Sequence, residues 1–327
     1  MGGLKKEIFF YWKLLEQVLL GGLHLLGTNF FKCIFIFVST FFLQNTYCYE
    51  FTILSDQDIV GTLGKHLIKE SDTFVKLARQ YNLGFNELLM ANPNIDPWLP
   101  EVGIEIILPT RFIIPSNIKR EGIVINLPEL RLYYFPENRP GVLVTHPISI
   151  GRMDWSTPIV NTSIYSKAEN PTWYPPQSII DERASQNRPI DRVIPPGPEN
   201  PLGNHALRLM LPGYLIHGTN MPAGVGMRVT HGCIRMFPED IERLYLDVPT
   251  GTLVQIINQP FKLGSIGNSH FLEAHPPLQD TIADTRGVMT ELTKTYISIF
   301  SKGEVSFNWS YAEEIANISN GLPVKVN

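Results

Sequence analysis

From Gly122 onward the chain places apolar residues in short bursts that proline and glycine repeatedly cut off. That rhythm restricts the middle of the molecule to a mainly-β domain. Ile123-Val124-Ile125-Asn126-Leu127, Arg131-Leu132-Tyr133-Tyr134-Phe135 and Val142-Leu143-Val144-Thr145 are separated by Pro128, Pro136 and Pro140. β-Branched and aromatic runs of this length, bounded by turn residues, suit the half-buried surface of a sheet. Ile148-Ser149-Ile150-Gly151 continues the pattern, Gly213 to Asn220 brings a further strand with His217 at its end, and Thr252 to Ile257 forms the last. Between Asn170 and Asn204 eight prolines interrupt any ladder, because proline has no N–H to donate to a sheet. A long ordered loop is expected there, and a lid over a binding cleft is its natural role. After it, Pro238-Glu239-Asp240 opens a helix with Ile241, Leu244 and Tyr245 on one face.

A smaller α+β unit is expected at 60–110. Val60 to Ile68 reads as a strand. Ser71-Asp72 offers an N-cap to a helix whose Phe74, Leu77, Ala78 and Tyr81 fall at helical spacing. A second short helix starts near Asn86 and stops at Asn92-Pro93, since proline disfavours helix in the residue before it. Gly103 to Leu108 closes the unit as a strand.

Residues 1–48 carry Lys5, Lys6, Lys13 and Lys32 ahead of and within an apolar stretch ending near Leu43, the make-up of a secretory signal peptide, with an uncleaved N-terminal anchor as the alternative. Its removal takes Cys33 and Cys48 and leaves 23 basic and 29 acidic side chains from 27 and 31, a net charge of −6. Such a surface argues against nucleic acid as a partner. It also leaves one thiol, Cys233, without a disulfide partner, which points to a nucleophile.

Cys233 lies in Thr230-His231-Gly232-Cys233-Ile234-Arg235, sixteen residues after His217-Gly218-Thr219-Asn220. A thiol with a pKa near 8.5 is mostly protonated at neutral pH, so an imidazole is needed to take its proton before it attacks a carbonyl. His217 and His231 are the candidates. His217 arrives from a separate strand, a better way to aim a base at a fixed sulfur, and the Gly218 carbonyl can hold its other ring nitrogen. Gly232 lets backbone approach the substrate, so its N–H and that of Cys233 can serve a tetrahedral oxyanion. Arg235 offers a fork for a substrate carboxylate, with Thr219, Asn220 and Thr230 as further expected substrate contacts. His217, His231 and Cys233 have the ligand types of a zinc site, but their spacing matches no zinc signature, and no metal or cofactor is expected.

These motifs, with Pro195-Pro196-Gly197-Pro198-Glu199-Asn200-Pro201-Leu202-Gly203, resemble the L,D-transpeptidases with a YkuD-type catalytic domain, in particular the ErfK/YbiS/YcfS/YnhG group of Gram-negative bacteria. The 60–110 unit, with Asp72-Thr73, Ala91-Asn92-Pro93-Asn94-Ile95-Asp96 and Leu108-Pro109, resembles a LysM domain. It departs at Ser71, where such domains usually carry Gly. The resemblance implies four parts: a leader (1–48), a βααβ LysM domain binding glycan (60–110), a β-sandwich catalytic domain (118–260) and a C-terminal extension (261–327). It implies Cys233 as nucleophile, His217 as general base and His231 as a residue shaping the pocket. The implied enzyme is periplasmic. It attacks the bond between meso-diaminopimelate and D-Ala in a peptidoglycan tetrapeptide stem, then passes the acyl group from the thioester to an amine. The acceptor can be another diaminopimelate (a 3→3 cross-link), a Lys of an outer-membrane lipoprotein, or water in an L,D-carboxypeptidase. The non-enzyme alternative is an inactive wall-binding protein, which thiol alkylation would leave unaffected. Residues 281–301 are expected to form a helix, and 302–327 carry no interpretable motif.

Overall fold

The computed structural model describes residues 49–278, 285–300 and 306–327; the leader expected at 1–48 lies outside them. Among the described residues no helix is long and apolar enough to cross a membrane.

The first part contains β1 (Tyr49–Thr52), β2 (Ile59–Gly61), β3 (Gly64–Leu67), α1 (Phe74–Gln80), α2 (Phe85–Ala91), β4 (Glu105–Leu108) and β5 (Arg111–Ile113). The single strand expected over 60–68 is two strands, because β2 pairs with β5 and β3 with β4, and the chain steps between the ladders at Thr62-Leu63. The helix cap also differs: Thr73 Oγ1 accepts from the Lys76 N–H, while Asp72 is drawn off to His66 at 2.7 Å and the Lys69 N–H at 2.9 Å. Asn92 explains where α2 ends. Its side chain donates to the Leu88 and Ile107 carbonyls and accepts from the Ile107 N–H, each at 2.8–2.9 Å, so it ties the last turn to β4.

The central part runs β6 (Gly122–Asn126), β7 (Arg131–Phe135), β8 (Val142–Pro147), β9 (Ile150–Gly151), β10 (Val160–Glu169), α3 (Gln177–Ser185), β11 (His205–Leu209), β12 (Leu215–His217), β13 (Arg228–Thr230), β14 (Ile234–Arg235), α4 (Pro238–Asp247) and β15 (Leu253–Ile257). Nine strands follow the order β1-β8-β7-β6-β15-β10-β11-β12-β14. β10 serves two ladders: its first half pairs with β15 and its second with β11, with a register shift between Ile164 and Ser166. Such a bulge lets one strand bend and change partners. The main core gathers Ile123, Ile125, Leu132, Ile164, Leu207, Ile216 and Ile234, closed by Ile241 and Leu244 of α4.

The sheet is not half-buried as the sequence pattern suggests. Every residue of β7 is buried, because Val124, Tyr133, Phe135 and Leu143 pack on the opposite face against Phe74, Leu77, Leu88 and Phe112 of the first part. Each such side chain contributes about 1.5–3 kcal/mol of burial. A buried ion pair crosses the same boundary: Glu87 of α2 meets Arg131 of β7 through two contacts of 2.7 Å, and the guanidinium stacks 4.1 Å from the Phe112 ring.

The last part comprises β16 (Phe261–Ile266), β17 (Ser269–Ala274), α5 (Thr285–Phe300), α6 (Trp309–Ile318) and β18 (Val324–Lys325). α5 matches the helix expected at 281–301, whereas α6 and β18 come from the stretch that carried no sequence motif. All three parts meet at Lys262, whose ammonium is 2.7 Å from both Glu129 and Glu273 and 3.1 Å from Tyr133 Oη, with all four side chains almost wholly buried. Tyr133 Oη donates to Glu129, and Glu273 accepts from the Ile113 N–H at 2.6 Å and pairs with His275 at 2.7 Å. Burial alone would raise the Glu129 pKa, but the nearby positive charge of Lys262 holds it below its usual value.

Candidate active site

β12 and β14 run parallel, with Ile216 opposite Ile234 and His217 opposite Arg235. Side chains alternate along a strand, so Ile216 and Ile234 enter the core while His217, Arg235 and Cys233, just before β14, share the other face. The proximity is electrostatic as well: Arg235 acts on both the imidazole and the thiol.

His217 is buried, and its Nδ1–H donates to the Gly218 carbonyl at 2.7 Å. Burial and the Arg235 charge pull its pKa down to about 3, against the Gly218 and Leu202 carbonyls, which favour the protonated ring. Burial also pushes the Cys233 thiol up, opposed by the Leu215 N–H aimed at the sulfur and by Arg235. Burial therefore favours the neutral thiol and the neutral imidazole at rest. Cys233 Sγ lies 3.4 Å from the Gly213 carbonyl, its hydrogen-bond acceptor in this state.

The turn that presents the sulfur is built around Gly232, at φ +103, a conformation L side chains rarely adopt. The Thr157 hydroxyl donates to the Gly232 carbonyl at 2.8 Å, and the Thr230 hydroxyl to the Cys233 carbonyl at 2.6 Å. The Gly232 N–H, an expected oxyanion donor, is engaged with Thr230 Oγ1 at 3.3 Å. Thr230 thus stiffens the turn, and Thr219 likewise accepts from the Met221 N–H at 2.9 Å. The Thr230 hydroxyl, which both donates and accepts within the turn, is not free to point at a substrate, whereas Asn220 is exposed. Arg235 makes no ion pair among the described residues, and its buried Nε has no hydrogen-bond partner. An unpaired guanidinium partly shielded from water favours an anion at this place.

Two residues that sequence reasoning passed over complete the site. Glu182 of α3 and Arg152 stand beside His231: His231 Nε2 is 2.6 Å from Glu182 Oε2, and Arg152 pairs with the other carboxylate oxygen. The Trp155 ring meets the imidazole edge-on at 5.1 Å. The proline-rich segment is thereby placed against the nucleophile's loop. Its base is closed by Asn170 N–H to Asn204 O at 2.6 Å and by reciprocal 2.9 Å bonds between Trp173 and Ile194. The buried Asn200 side chain donates to the Pro171 and Pro195 carbonyls. No sequence signal distinguished Glu182 from its polar neighbours, because its partner is 49 residues away.

His217, His231 and Cys233 do not form a metal-sized cluster. Among the described residues the one such grouping is Glu129, Glu273 and His275, and the Lys262 ammonium sits between its carboxylates. His205 packs on Tyr245, His146 pairs with Asp240 and His270 with Ser265.

Residues 120–256 match the family model described as "L,D-transpeptidase catalytic domain". Over 274 residues the chain is 37% identical to "Probable L,D-transpeptidase YcfS" of Escherichia coli K12, spanning 82% of this chain and 85% of that one. It is 38% identical over 258 residues to "Probable L,D-transpeptidase YbiS" of the same organism, spanning 76% and 82%. Identity to "Probable L,D-transpeptidase ErfK/SrfK" of Salmonella typhimurium is 34% over 313 residues, spanning 92% and 97%.

Proposed function

Because the chain belongs to the L,D-transpeptidase family, we propose that it is a cysteine-dependent peptidoglycan L,D-transpeptidase that makes 3→3 cross-links in the periplasm. The observation that carries this reading is the shared face of His217, Cys233 and the anion-seeking Arg235. Arg235 holds a carboxylate of the donor stem. Cys233 attacks the carbonyl of diaminopimelate, His217 takes the thiol proton as the S–C bond forms, and the same proton goes to the departing amine of D-Ala as the C–N bond breaks. The 60–110 unit acts as a LysM domain that holds glycan, and this grip favours a neighbouring stem over a lipoprotein as acyl acceptor.

Muropeptide analysis of cells with and without the gene tests the acceptor. Loss of 3→3 dimers is expected; intact dimers with loss of lipoprotein-derived Lys-Arg remnants on tripeptide stems would overturn the choice. Arg235→Met should raise KM for a soluble tetrapeptide donor roughly tenfold or more, the value of one lost charge-assisted hydrogen bond. An unchanged KM would remove Arg235 from the donor subsite.

The low pKa of His217 sets a pH signature. An ordinary histidine of pKa about 6.5 would lose roughly thirtyfold of its basic form between neutrality and pH 5. His217, titrating at about 3, stays unprotonated through that range, so the rate of D-Ala release should fall by less than about twofold. A steep acid limb centred near 6.5 would show that a different, solvated imidazole is the base.

A further inference from the structure

The imidazoles of His217 and of His231, two residues before Cys233, are held in opposite ways, and the reaction has two halves. His217 is buried, tied to backbone carbonyls and close to the positive Arg235. His231 is part-exposed, and a carboxylate lies 2.6 Å from its Nε2. Resting on the transpeptidase reading above, we propose that His231, oriented by Glu182, is the general base of the second half-reaction, taking the proton from the acceptor amine as it attacks the thioester.

The chemistry of the acceptor makes the demand. A lysine-type amine has a pKa near 10, so it arrives as an ammonium and must lose a proton to become a nucleophile. His217 is poorly disposed for this, since a cation approaching it meets Arg235 and its ring favours the uncharged form. On the other side His231 has a carboxylate as its direct partner. Glu182 pairs with both Arg152 and His231 Nε2, and Arg228 stands with Arg152 and Asp154 in the same hollow. The carboxylate also selects the tautomer: Nε2–H donates to Glu182, which leaves the lone pair on Nδ1. Nδ1 has no hydrogen-bond partner among the described residues. His231 and Cys233 are separated only by Gly232, whose φ of +103 folds the chain between them.

In balance, the acceptor N–C bond forms and the thioester C–S bond breaks. Of the two protons the ammonium nitrogen loses in becoming an amide, the first passes to His231 Nδ1 and on to solvent, and the second goes to the sulfur as it leaves, which regenerates the thiol. Glu182 belongs to α3, so this base is assembled only while the proline-rich segment lies against the catalytic loop.

The half-reactions can be separated with a tetrapeptide donor whose diaminopimelate amine is acetylated, so that D-Ala release reports acylation alone. Loaded enzyme is then chased with a diaminopimelate tripeptide while acyl-enzyme decay is followed by intact mass. Glu182→Gln and His231→Asn should slow this decay at least tenfold more than they slow D-Ala release, and Glu182→Asp should restore part of the loss. Decay with hydroxylamine, an amine already unprotonated at neutral pH, should be spared in both variants. Equal losses in the two half-reactions, or equal losses with hydroxylamine and tripeptide, would make the pair a scaffold for the lid and overturn the proposal, as would an undiminished chase. If wild-type enzyme releases no D-Ala from the donor, the transpeptidase reading itself fails, a result separate from these.

Discussion

Cys233→Ala is expected to abolish acyl-enzyme formation altogether. The thiol stands between the Leu215 N–H and the Gly213 carbonyl, and no other cysteine lies among the described residues. A methyl group in its place removes the nucleophile and barely alters the volume, so the fold should persist. A β-lactam carbonyl open to thiol attack, such as that of a carbapenem, gives a direct assay: intact mass should show one adduct on the wild-type enzyme and none on the variant. A stable adduct on Cys233→Ala would refute the assignment. His217→Ala should retain the thiol yet lower the rate of adduct formation by at least about a hundredfold, the scale of a lost general base.

Lys262→Met is expected to have the largest effect on stability. The ammonium neutralises Glu129 and Glu273, neither of which reaches water. Removing one partner of a buried ionic group leaves uncompensated charge and costs about 3–5 kcal/mol. For a chain of this size that is a fall in Tm on the order of 10 °C. Calorimetry on the purified variant reads it directly. A loss under about 1 kcal/mol would mean that the carboxylates take up protons cheaply and that the cluster does not fasten the parts together. Adding Glu129→Gln should recover part of the loss, because it removes one of the two stranded charges.

The arrangement of the candidate loop is legible because it is local: His217 and Arg235 lie on two short strands, and Gly232 and Cys233 form the turn that enters the second. The strands themselves were legible from period and punctuation. Their burial was not, since Val124 and Tyr133 read as one face of a half-wet sheet until Phe74 and Leu88, some 40 to 60 residues away, cover them. Glu182, Lys262 and Arg131 were missed for the same reason: each finds its partner at long range, and an isolated charged residue in a sequence carries no sign of burial. Thr230 was misjudged more subtly. Its hydroxyl was assigned to substrate, yet the turn needs it for the Cys233 carbonyl.

At the start of α2 the Phe85 and Asn86 N–H groups donate to the Val225 and Gly226 carbonyls, and Gly84 packs so close to Gly226 that a Cβ on Gly226, at φ +85, would collide with it. Gly226 lies seven residues before Cys233 in the chain. The helical unit is therefore bolted to the catalytic loop, not leashed to it, and cutting out 60–110 would bare Val124, Tyr133 and Arg131 instead of removing a detachable module. Whatever the unit grips is held at one distance and one bearing from the sulfur. A leash lets an enzyme sample every stem within its radius, whereas a bolt makes it a caliper. If the unit grips glycan as proposed, only stems whose spacing along the strand matches that fixed distance come within reach of the thiol.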